Sequence, residues 1–112
     1  MEIWVLSSVA VYYDSGEYYM GTSVHTSLES AHESMVEQLL QDVSETWTED
    51  MAPPENSTKR PPQDEDELRY WFRGFEAGDA YVHEDRAKLF IGSADFGYKI
   101  EKYTMKWEVQ ND

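Results

Sequence analysis

The first basic residue of the chain is Lys59. Residues 1 to 58 hold 11 Asp or Glu and no Lys or Arg, whereas residues 59 to 112 hold 12 acids and 9 bases. The net charge of -14 therefore divides into -11 and -3. Like charge without relief repels itself and opposes compaction, and an ordinary surface intersperses both signs to avoid this. Any fold of this chain must let the acids of its N-terminal half reach water, so one side of the molecule becomes a nearly pure anionic surface. Such a surface suits a cationic partner. It disfavours anionic lipid headgroups, and it disfavours direct binding to DNA or RNA, which runs on Lys and Arg at phosphates.

A chain this acidic folds only if it carries enough apolar surface. Here 14% of the 112 residues are aromatic, including eight Tyr and four Trp, which separates it from the disordered class. The length fits a single domain, residues 1–112, with one modest core. There is no cysteine, which removes disulfides, zinc-thiolate sites and cysteine nucleophiles and fits a reducing compartment. The start Met1-Glu2-Ile3-Trp4 has no basic region followed by an apolar run, and no apolar stretch reaches ~18 residues. The expectation is a cytoplasmic protein of a bacterial host cell that does not contact the membrane.

Residues 3 to 13 and 18 to 25 are rich in β-branched and aromatic side chains and flank the turn cluster Asp14-Ser15-Gly16-Glu17, a β-hairpin pattern. Ile3, Val5, Val9 and Val11 share one parity and are expected to form the buried face, with Trp4 and Leu6 on the other. A helix is expected from about 27 to 47, capped by Thr26 with Glu29 completing a capping box. Leu28, Ala31, Met35, Leu39 and Val43, with Val36 and Leu40 beside them, give it an apolar stripe. Residues 52–64 form a proline-rich acidic loop, since all four prolines lie between 53 and 62. Asp64 caps a short second helix from about 65 to 73 that buries Leu68, Trp71 and Phe72, with Gly74 and Gly78 closing it. Residues 80 to 83 and 87 to 91 read as a second hairpin, Gly92 to Gly97 as a turn, and 98 to 109 as a final strand. The apolar parity of that strand changes between Ile100 and Tyr103, which predicts a β-bulge near Glu101. The sum is an α+β domain: an antiparallel sheet of four to five strands in the order ββααββ(β), with two helices on one face.

The acids are patterned. Glu29, Glu33 and Glu37 stand at i, i+4 and i+8, a helical ridge rising about 6 Å per step. Like charges at that spacing destabilise a helix by roughly 0.2–0.5 kcal/mol per pair, and no Lys interrupts them. DNA phosphates advance ~3.4 Å per residue along each strand, a charge density of the same order. The ridge is a solvated helix face or a replica of a phosphate backbone, and the absence of bases across the whole N-terminal half favours the second. Asp42, Glu45, Glu49 and Asp50 continue the anionic surface, and Asp64 and Glu65 open a further acidic cluster whose simpler role is helix capping. Tyr12, Tyr13, Tyr18 and Tyr19 flank the first turn, as a contact patch or as cross-strand pairs.

Catalytic signatures are missing. Glu29 and His32 form one E-x-x-H pair, whereas di-iron bundles need two such pairs and further carboxylates. No glycine-rich phosphate loop and no G-x-S-x-G elbow occurs. No metal, cofactor or catalytic residue is expected.

The strand IWVLSSVAVYY, the helix TSLESAHESMVEQLL and the closing YKIEKYTM (Tyr98 to Met105) resemble small acidic proteins of phages and plasmids. The segment YDSGEYYMG (Tyr13 to Gly21) is similar to the opening of ArdA-type antirestriction proteins, which are DNA mimics, although this chain is shorter and lacks the rest of that pattern. Acidic anti-CRISPR proteins are similar in size and charge. The resemblance implies a non-enzymatic inhibitor that fills a Lys/Arg-rich nucleic-acid site of a bacterial defence complex, such as a CRISPR effector or a restriction enzyme. The competing expectation is an acidic interaction or dimerisation module without mimicry, docking through its tyrosines or a sheet edge, with a homodimer as one form.

Overall fold

The computed structural model describes residues 1–47 and 60–105. The proline-rich stretch up to residue 59, Glu49, Asp50 and the expected end of the last strand, with Trp107 and Val109, lie outside the described residues. The elements are β1 (Glu2–Tyr12), β2 (Glu17–His25), α1 (Leu28–Thr46), α2 (Glu65–Phe72), β3 (Ala80–Val82), β4 (Arg86–Ile91) and β5 (Ala94–Thr104). All pairings are antiparallel and the sheet order is β2-β1-β5-β4-β3. Both helices lie on one face, so the expected α+β class and layering are what the chain adopts.

The β1–β2 connection is a four-residue loop, Tyr13 to Gly16. Gly16 takes φ 73° there, and its N–H donates to the Tyr12 carbonyl at 2.9 Å. Glycine adopts this left-handed conformation without the Cβ clash that other residues pay. The β4–β5 turn is tighter than its sequence suggested. Only Gly92 and Ser93 separate the paired residues Ile91 and Ala94. Gly92, at φ 58°, supplies the positive φ that two-residue hairpin loops require at their first position. Gly97, expected to end a turn, sits inside β5 opposite Val9.

The even-numbered face of β1 is the buried one. Leu6 and Ser8 are buried, and Trp4, Ala10 and Tyr12 pack against the core. Val9, expected inside, is 41% exposed. The assignment reverses because both parities of β1 are apolar, so alternation does not choose between them. The larger side chains Trp4, Leu6 and Tyr12 gain more from burial than the valines do. Ser8 tolerates the interior because Gln38 of α1 donates to its Oγ at 2.8 Å. The β1–β5 ladder runs unbroken from Glu2–Thr104 to Tyr12–Ala94, with no bulge at Glu101. Tyr103 and Met105 need no phase change, because they are about half exposed rather than buried.

Helix α1 places Ala31, Met35, Val36, Leu39 and Val43 in the core, as its stripe predicts. Its cap is Ser27, not Thr26. Ser27 Oγ accepts from the Ser30 N–H at 3.0 Å, and Glu29, one residue short of the box position, is left in the first turn. Asp64 caps α2 as expected, accepting from the Glu67 N–H at 2.8 Å. Leu68, Trp71 and Phe72 complete the core, and Trp71 meets Trp47, Phe72 and Phe75 at ring-centroid distances of 5.3, 5.7 and 4.9 Å.

Candidate functional site

Burial of the α1 stripe turns the opposite side of that helix to solvent, and Glu29, Glu33 and Glu37 stand there exposed. None of them forms an ion pair among the described residues. The bases lie elsewhere. Arg60 and Arg69 pair with Glu67 and Glu65 at 2.7 and 2.8 Å, and Lys102 pairs with Glu2 at 3.1 Å. Arg86, Lys88 and Lys99 belong to the sheet face away from the helices, as the register Arg86–Lys99 and Lys88–Gly97 requires. The charge imbalance of the sequence thus becomes an imbalance in space: a helix face of carboxylates and a far sheet face carrying bases.

The ridge adjoins a cleft of about 450 Å³ between the first hairpin and the C-terminal half of α1. Asp42 and Glu45 line its helical wall, and Tyr12, Glu17 and Tyr19 its hairpin wall. Tyr12 and Tyr19 meet edge to face at 5.9 Å, and Tyr12 stands in the same way on Phe96. Tyr19 Oη donates to Glu17 Oε2 at 2.7 Å, and that bond raises its phenol above the usual value. Tyr12 is raised as well, by burial first and then by Asp42, Glu45 and Glu17. Asp42 is half-buried and receives the hydroxyl of Tyr98. Burial pushes its carboxyl above the ordinary range, the Tyr98 hydrogen bond pulls it back, and Glu45 adds to the upward push. Burial and Asp42 together keep Tyr98 a neutral donor. Carboxylates beside aromatic rings in a partly desolvated cleft suit ammonium or guanidinium groups.

The remaining candidates divide. Tyr18 pairs with Val11 on the far sheet face, and Tyr13 lies in the loop beside Phe90 at 6.5 Å, so the four tyrosines do not form one patch. Asp64 is engaged in its cap. Glu65 is half-buried and holds both Arg69 Nε at 2.8 Å and His32 Nε2 at 2.9 Å. Burial raises the Glu65 carboxyl, but the hydrogen bonds from Arg69 and His32 outweigh it and leave it below the ordinary value. His32 also meets the Glu84 carbonyl through Nδ1 at 2.9 Å. Both partners are acceptors, so the pair of bonds is complete when the ring carries both protons. That residue ties α1 to α2 and to the β3–β4 turn. Among the described residues no group of three or more His, Asp or Glu is placed to hold a metal ion.

Glu17, Gln38 and Tyr98 were not expected in the site from the sequence. The signal that would have found Glu17 is the hairpin register: Tyr12 opposite Glu17 and Ala10 opposite Tyr19 put all of them on the helix side once that side is known. No helix among the described residues is long and apolar enough to cross a membrane. No protein-family model, curated protein or solved structure matches the chain.

Proposed function

We propose that the chain is a non-enzymatic inhibitor that occupies a Lys/Arg-lined nucleic-acid groove of a bacterial defence complex, such as a CRISPR effector or a restriction enzyme. The observation that carries this is the row Glu29, Glu33, Glu37, exposed on a rigid helix and free of ion pairs among the described residues. A structural helix gains by placing Lys at such positions, and this one retains the repulsion instead. The adjoining cleft, with Tyr12, Tyr19, Asp42 and Glu45, gives a partner's Arg or Lys side chain a partly enclosed seat beside the ridge. Complementary charge speeds encounter and makes association fall with salt.

The test is capture of a nucleic-acid-binding complex from bacterial lysate by the wild type and by the Glu29→Gln/Glu33→Gln/Glu37→Gln triple variant. Capture that duplex DNA or RNA displaces, and that the variant loses, supports mimicry. Equal capture by both proteins rejects it. A second reading, an interaction module without mimicry, is favoured by the sheet face away from the helices, where Tyr18, Met20 and Val24 are 67, 75 and 62% exposed. It predicts that the triple variant binds its partner unchanged.

A further inference from the structure

Among the described residues, strand β2 ends the sheet with no neighbour on its outer side. The opposite edge, β3, is three residues long, a length that offers little to pair with. β2 is nine residues long, EYYMGTSVH, with no proline, no Lys or Arg, and one acid at its first position. An edge this long, without a charge between Tyr18 and Val24, lacks the usual devices that prevent strand addition. In a chain of net charge -14 it is also a stretch where another copy meets no facing charge between Tyr18 and Val24.

We infer that β2 pairs antiparallel with β2 of a second copy, about a two-fold axis at Gly21, joining the two sheets into one. The strand is self-complementary in that register. Full overlap sets Glu17 against His25, Tyr18 against Val24, Tyr19 against Ser23 and Met20 against Thr22. No like charges face each other, and Tyr18 with Val24 is an aromatic–β-branched pair of the favourable kind. Within each chain Val11 already faces Tyr18, and Val24 faces Val5. The new pairing therefore makes a continuous row Val11, Tyr18, Val24, Val5 across four strands, and the axis repeats it.

The helix flank over this edge agrees. Ser30 bonds to His25 at 3.1 Å, and Gln38 reaches over Gly21 to Ser8, so the side of α1 turned to β2 is the one bearing Ser30 and Gln38. Ser34, one turn from each, continues this flank, which Glu37 borders on its solvent side. Glu17, Asp42 and Glu45 gather at the hairpin end of β2. Antiparallel pairing sets that acidic end against the His25 end of the other copy, which carries no acid on this flank. The Glu29, Glu33, Glu37 ridge stays at the solvent side of each copy, so this dimer does not depend on the inhibitory reading.

Sedimentation velocity over a concentration series tests the inference. Wild type is expected to move from 13.1 kDa toward twice that mass, and the dimer is expected to tighten as salt screens the shared negative charge. Met20→Lys/Thr22→Lys places like charges opposite each other on both sides of the axis and should dissociate the dimer, even though it lowers the net negative charge. Met20→Lys/Thr22→Glu places opposite charges there, in this register alone, and should restore it. Circular dichroism and urea midpoints of both variants check that the monomer fold is kept. A wild type that stays monomeric at every concentration and salt overturns the inference. A dimer indifferent to the double-Lys change, or one lost equally in both variants, overturns it too.

Discussion

The Tyr98–Asp42 contact makes a pH-resolved prediction. Tyr98 is 4% exposed and its hydroxyl donates to a half-buried carboxylate. Tyr98→Phe keeps the ring in the core and removes only that donor. A hydrogen bond to a charged group contributes about 1.5–3 kcal/mol, and because Asp42 is half open to water that can replace the donor, about 1–2 kcal/mol is expected here. For a chain of this length that corresponds to a fall in Tm of about 4–8 °C. The sign of the pH dependence follows from Asp42. Its folded carboxyl already lies above the unfolded value of 3.8, held partly down by Tyr98. Removing the hydroxyl leaves burial and Glu45 unopposed, so the carboxyl rises further in the variant. At neutral pH both proteins carry the charge and the deficit is full. As pH falls through the variant's raised value, the variant takes up its proton first and the deficit shrinks. Urea unfolding of both proteins between about pH 7 and about pH 4 measures this directly. A deficit that is constant with pH, or that grows in acid, would refute the assignment of the hydroxyl to a charged Asp42.

The Glu29→Gln/Glu33→Gln/Glu37→Gln variant should be more stable by about 0.4–1 kcal/mol, from relief of two i,i+4 repulsions, while its partner affinity becomes weaker and less salt-dependent. Thermal melts and binding isotherms at two salt concentrations read both effects. Ser27→Ala should cost about 1 kcal/mol and Thr26→Ala within ~0.5 kcal/mol, which unfolding midpoints will separate. Glu65→Gln should cost about 0.5–1 kcal/mol, since the carboxyl is part-exposed. Because the folded carboxyl lies below the ordinary 4.5, that contribution is present above this value and is lost as pH falls through the depressed one, so wild type and variant should converge in acid.

The helices were legible because their signals are local. The spacing of Ala31, Met35, Leu39 and Val43 fixes a face without reference to anything else, and the Glu29, Glu33, Glu37 row follows from the same periodicity. Asp64 shows itself as a cap because a proline pair stands just before it and apolar residues follow. The face of β1 was not legible, since Ile3, Val5, Val9 and Val11 compete with Trp4, Leu6, Ala10 and Tyr12. The larger side chains decide it, and the polar Ser8 among them is satisfied only by a partner 30 residues away, Gln38. The cleft inherits that difficulty. Tyr12, Glu17 and Tyr19 join Asp42 only after the hairpin register and the covered face are both settled. Glu29, three residues on, marked Thr26 as the cap, and the chain caps its helix one residue later, at Ser27.

The central strand of the sheet, β5, and its neighbour β1 come from opposite ends of the described chain, with Glu2 beside Thr104. During synthesis the first hairpin and α1 are available long before the strand that must lie beside them. Closing so distant a pair is slow, because nearly the whole chain loses freedom before the ladder repays it. In that interval β1 presents an open edge and α1 an uncovered stripe, the kind of surface on which nascent chains aggregate. The half that waits is the half with no base, so two unfinished copies repel each other. The acids that shape the finished surface also guard its assembly.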